Sequence, residues 1–210
     1  MIRALGLILA LLAGAGAASA HPHVMVGAKA EILYDAQGNF TGIRHIWTFD
    51  ELYSAFATTG LAKGKDGKIE TSALDELAKV NVESLNEFEF FSYGKSAGKK
   101  LKFAEPVNYK LEDNGKVLTL HFTLPLQQPA PGKTVALEVY DPSYYVAFAF
   151  DAGEAVKLNG APHGCKLTVK RPNDGVAAKA RSLGETYAQA LTADAGLSSQ
   201  IENRVLVVCP

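Results

Sequence analysis

Residues 116–126 read KVLTLHFTLPL, an alternation of apolar and polar side chains that a strand satisfies and a helix does not. Successive side chains of a strand point to opposite faces. Leu118, Leu120, Phe122 and Leu124 therefore share one face, and Thr119, His121 and Thr123 share the other. A strand this regular needs paired neighbours and an apolar layer to cover one face. The surrounding chain offers both. FEFFSY, KLKFAE, VNYKLED, TVALEVYD, SYYVAFAF, AVKLNG and CKLTVK are further strand-length runs, broken by turn signals such as Asp113-Asn114-Gly115. Short strands at this spacing predict a mainly antiparallel, sandwich-like arrangement.

The N-terminal half adds a hairpin and helices. HVMVGAKAEILYD and NFTGIRHIWTFD flank Asp35-Ala36-Gln37-Gly38, a turn in which glycine supplies positive φ. Ile43, His45, Trp47 and Phe49 fall on one face of the second strand, and Val24, Val26, Ala28 and Ile32 on one face of the first. Pairing Tyr34 with Asn39 sets Val26 opposite Trp47, Ala28 opposite His45 and His23 opposite Asp50. DELYSAFATTGL then reads as a short helix with Asp50 as N-cap. TSALDELAKVNVESLNEF reads as a longer one, capped by Thr71 or Ser72. A last amphipathic helix is expected over 175–192. The fold class is α+β: a β-sandwich-like sheet, a helical insertion over 51–92 after the first hairpin, and a C-terminal helix.

The first twenty residues carry a different message. Arg3, the apolar run ALGLILALLAGAGA and the small residues Ala18-Ser19-Ala20 form a secretory signal, with cleavage expected after Ala20. Residues 21–210 are then a single secreted, periplasmic domain. No other segment reaches the roughly 20 apolar residues that a spanning helix needs. The formal net charge of −1 argues against a nucleic-acid surface. The basic run GKSAGKKLK (94–102) reads as a solvated loop entering a strand. Cys165 and Cys209, the two cysteines, are expected to form one disulfide. It would close a loop of about 45 residues, stabilising by on the order of 4 kcal/mol.

Cleavage would make His21 the first residue, so its α-amine and imidazole could chelate one zinc, nickel, cobalt or copper ion. His23 adds a third nitrogen. Pro22 lacks an N–H and so excludes a square-planar site built on the next backbone nitrogens. Asp50, Glu51 or a remote histidine, His121 being the candidate, would complete the shell. His45, beside Trp47, reads as a hydrogen-bonded core histidine, and His163 as a loop residue. AKGKDGKIETSA resembles a calcium loop at Gly67 and Ile69 only. Its ligand positions fall on Ala62, Gly64 and Ala73, leaving Asp66 and Glu70 as carboxylates, so no calcium is expected. The nucleophile elbow, phosphate loop and dinucleotide fingerprint are all missing, and the protein is not expected to be an enzyme.

HPHV, IWTFDELYS, YDPSYYVAF and a cysteine near the C-terminus occur in that order. Together they resemble the bacterial domain of unknown function 1007 family across nearly all of residues 21–210. The resemblance implies a periplasmic component of an uncharacterised ABC-type transport system, in a setting similar to nickel/cobalt export. A membrane metal transporter is the implied partner. Its motif positions are His21, His23, Trp47, Asp50, Glu51, Asp141, Tyr144 and Tyr145. Where many members carry an acidic D-x-D-G loop, this chain has GKDGK. Two other functions compete with metal handling: a non-metal interaction module, and a copper oxidoreductase with a histidine brace formed by His21 and either His121 or His45.

Overall fold

A computed structural model describes residues 23–172 and 202–210. His21, the segment 1–20 and the helix expected over 175–192 lie outside the described residues. Among the described residues there are two sheets and two α-helices, and the fold is α+β and mostly strand. Strands β1 (Val24–Tyr34) and β2 (Asn39–Phe49) form the expected hairpin. Helices α1 (Glu51–Ala57) and α2 (Thr71–Ser84) follow, then a 3-10 segment over Leu85–Phe91. The remaining strands are β3 (Ser92–Ser96), β4 (Lys99–Lys100), β5 (Val107–Asp113), β6 (Leu118–Pro131), β7 (Thr134–Val139), β8 (Val146–Phe150), β9 (Val156–Asn159), β10 (Lys166–Lys170) and β11 (Asn203–Val208).

The larger sheet runs β5-β6-β2-β1-β8, with β9 also on β1, and the smaller runs β10-β11-β7-β3-β4. One apolar core takes residues from both. The alternation in β6 is realised as expected: Leu118, Leu120, Phe122 and Leu124 are buried, while Thr119, His121 and Thr123 are only partly so. The larger sheet is mixed, because β8 and β9 pair with β1 in parallel.

The hairpin register departs from the expected one. Ala28 pairs with Trp47, Ala30 with His45 and Val26 with Phe49, and Tyr34 meets Phe40 rather than Asn39. Two causes add. The Asp35 carboxylate accepts from the Gln37 and Asn39 amides, which widens the turn. An irregularity between Leu33 and Tyr34 then adds another residue. The total slip is two residues, so every side chain keeps its face while its partner changes. Alanines thus oppose the bulky Trp47 and His45. His23 is not opposite Asp50, whose amide donates instead to Met25 O at 3.0 Å.

Two further expectations are corrected. FEFFSY is a strand only from Ser92 onward, because Glu89, Phe90 and Phe91 take φ of 50°, 55° and 46°. Helix α2 begins at Thr71 with Glu70 as its cap residue, so neither Thr71 nor Ser72 caps it. AKGKDGKIE is a tight loop, bridged between Lys63 and Ile69, with Asp66 accepting from the Lys68 amide, and TSA opens α2.

Candidate functional site

The motif residues that open α1 tie three strand ends together. The Asp50 carboxylate accepts from the Tyr53 amide at 2.8 Å, which is N-capping as expected, and from the Met25 amide at 2.7 Å. Ser54 Oγ donates to Asp50 O at 2.7 Å and accepts from the Leu118 amide at 3.0 Å. Both Asp50 oxygens are therefore committed to backbone donors on β1 and α1. Glu51 stands exposed in the first turn of α1, where a negative charge suits the helix dipole.

The segment YDPSYYV is built around a second aspartate in the same way. Asp141 is buried, and its carboxylate accepts from the amides of Ser143 at 2.8 Å and Val146 at 2.9 Å. Ser143 Oγ also donates to this carboxylate. The turn that results places Tyr144 at φ 56°. It also presents Tyr145 O to the amides of His23, at 2.9 Å, and Val24. The His23 and Tyr145 rings lie 4.5 Å apart. His23 and Val24 of HPHV thus dock on SYYV, and motifs some 120 residues apart in sequence meet at one end of the larger sheet.

At that end lies a cavity of about 480 Å³, a size typical of small-molecule sites. Val24, Val26, Trp47, Phe49, Leu120 and Phe148 of the sheet form its floor. Tyr53 of α1, Asn81 and Ser84 of α2, and Leu85, Phe88 and Phe91 form the facing wall. Asp141, Ser143, Tyr145 and Val146 close one side. Trp47 is 1% exposed and packs edge-on against both Phe122 and Phe148, with ring centroids 4.8 Å apart in each case.

His45 reaches the cavity wall from behind. It is fully buried, stacked on Phe122 at 4.9 Å, with Nε2 3.2 Å from Ser92 Oγ. Ser92 Oγ donates its one proton to Phe90 O at 2.9 Å, so His45 must donate from Nε2. Nδ1 is then an unprotonated acceptor, and it has no partner among the described residues. Burial pushes the His45 pKa down to about 3, and the ring is neutral. The chain His45–Ser92–Phe90 helps hold the left-handed run Glu89–Phe91. Three such non-glycine residues cost about 1–3 kcal/mol each and persist only where the surroundings fix them.

The other expected ligands do not assemble. His121 pairs across the sheet with Ile46, and its Nε2 lies 3.1 Å from Glu112 Oε2 on the face away from the core. Lys110 hydrogen bonds to Glu112 and, with His121, holds its carboxyl below the usual range. His163 sits in an exposed turn. Among the described residues no group of three His, Cys, Asp or Glu could hold a metal ion. The expected disulfide forms between Cys165 and Cys209. Also among the described residues, no helix is long and apolar enough to cross a membrane. Asn81, Ser84, Phe88 and Ser92 went unrecognised as site residues. The broken alternation in FEFFS is a sequence signal for Phe88 and Ser92 but not for Asn81 and Ser84.

These features define a β-rich α+β domain, stapled by a disulfide, with an apolar cavity where its distant motifs converge. The chain belongs to the family described as Protein of unknown function (DUF1007), which matches residues 6–209. It is similar to an uncharacterized protein of Haemophilus influenzae strain Rd, at 26% identity over 196 residues, covering 90% of this chain and 91% of that protein.

Proposed function

We propose that the protein is a non-catalytic periplasmic accessory that binds a transition-metal ion as cargo through its N-terminal histidine arm and works with a membrane metal transporter. The observation that carries this reading is the seat of His23. Its amide bonds to Tyr145 O at 2.9 Å and its ring lies against Tyr145, at the point where the family motifs meet. An arm anchored there puts His21 two residues further on, with an amine and imidazole available once the leader is removed. Asp50 anchors Met25 and α1, its two oxygens accepting the Met25 and Tyr53 amides. His23 with the amine and ring of His21 is thus the donor set of the site, and nitrogen donors of this kind suit zinc, nickel, cobalt or copper. The leader-like segment 1–20 and a disulfide, which persists in oxidising compartments, support the periplasmic setting.

Calorimetric titration of the chain starting at His21 with zinc, nickel and copper tests the proposal. One equivalent should bind, and changing both His21 and His23 to Ala should weaken it by at least about tenfold, or ~1.4 kcal/mol. Equal binding by the double variant would end this reading.

A further inference from the structure

We infer that the cavity beside Tyr145 binds a single alkyl chain, recognised by shape and apolar contact with its polar head left at the mouth. This goes beyond metal handling and stands or falls separately from it.

The polar groups of the lining argue the ligand class. Asn81 Nδ2 donates to Leu77 O at 2.9 Å, and Ser84 Oγ donates to Asn81 O at 2.8 Å. Tyr53 Oη donates to Asn81 Oδ1 at 3.4 Å. The one carboxylate, that of Asp141, is taken up by Ser143 and Val146. No Lys, Arg or His is among the lining residues. One lining donor stays free, Trp47 Nε1, which has no hydrogen-bond partner among the described residues. A charged or strongly polar group taken inside would exchange its hydration for at most that one bond, which is costly. A hydrocarbon chain loses nothing there and gains the contact of Val26, Leu85, Leu120 and Phe148.

The wall argues that this space is maintained. Phe88 and Phe91 stack at 5.2 Å with their planes 14° apart, held by a backbone of three consecutive residues at positive φ. Such strain clusters where a chain must clamp a ligand. Phe88 and Tyr145 each keep 51% of their surface exposed, giving the mouth an apolar rim against which a head group can turn to solvent.

Trp47 is the only tryptophan of the chain and forms part of the floor, so its fluorescence reports occupancy directly. The full chain starting at His21 is titrated with dodecanol, dodecanoate and dodecylammonium, each below its aggregation threshold. Saturable emission changes at one equivalent are expected, with the three affinities agreeing within about threefold. Filling the cavity from the Tyr145 side with Val146→Phe, and separately from the facing wall with Leu85→Phe, should each weaken binding by about tenfold or more. A second arm mixes the protein with phosphatidylglycerol vesicles carrying a fluorescent acyl chain. Transfer to the protein assigns bilayer lipid as the source, and binding of the soluble chains without transfer assigns free chains. No saturable response to any chain, undiminished binding by both filled variants, or a preference of more than about tenfold for one head-group charge would overturn the inference.

Discussion

The two sheets share one core but close their ends by different means. The larger sheet ends at the cavity, and there side-chain carboxylates do the joining: Asp50 gathers Met25 and Tyr53, and Asp141 gathers Ser143 and Val146. The smaller sheet is closed covalently, by Cys165–Cys209 across the ends of β10 and β11. Asn203 adds a buried clamp between the sheets, donating to Val139 O and Phe148 O and accepting from the Phe150 amide. The first kind of closure depends on single side chains. The second depends on redox state. The motif residues gather at the first.

Substitutions should separate the two ends. Trp47→Ala, at the cavity floor, is expected to cost about 3–5 kcal/mol in urea denaturation, against no more than ~0.5 kcal/mol for Leu206→Ala on the exposed face of β11. A similar cost at both would erase the contrast. Replacing Cys165 and Cys209 together by Ser should destabilise by roughly 4 kcal/mol while leaving metal titration unchanged, and altered titration would couple the smaller sheet to the site. Asp50→Ala leaves the Met25 and Tyr53 amides without acceptors and should cost about 2–3 kcal/mol. Asp50→Asn, which keeps one acceptor oxygen, should recover part of it, and no recovery would show that charge rather than hydrogen bonding holds this end.

Acid should act on His45. Its folded pKa is lowered to about 3 by burial, whereas an unfolded chain titrates near ~6.5. Between those values the unfolded state binds the extra proton, so stability falls as pH drops below ~6.5. The slope is about 1.4 kcal/mol per unit, or roughly 2 kcal/mol lost by about pH 5. His45→Phe should remove that slope in denaturation curves taken across this range. Its persistence would place the titrating group elsewhere.

How much was legible follows from where the information lies. Strand faces in β1, β2 and β6 could be read because period-two alternation is local, and the face of Trp47 survived a wrong register because the slip was even. The register itself depended on the Asp35 carboxylate and an irregularity at Leu33, neither of which alternation encodes. Asp50 was legible as a helix cap, but its second bond, to Met25, joins segments that only the folded hairpin brings together. The cavity wall was hidden for a different reason. Glu89, Phe90 and Phe91 adopt a conformation that favours glycine, and their own side chains argue for a strand. What holds them is His45, which could be read as a core histidine but not as the support of a wall some 45 residues away.

The central claim is that the N-terminal arm holds the metal with the His21 amine. It is tested most directly by comparing zinc and nickel affinity of two chains of confirmed mass, one starting at His21 and one carrying a single extra Gly before it. The extra residue moves the amine out of the chelate ring without touching the fold, so affinity should drop by about tenfold, or ~1.4 kcal/mol. Equal affinities for the two chains would contradict the account.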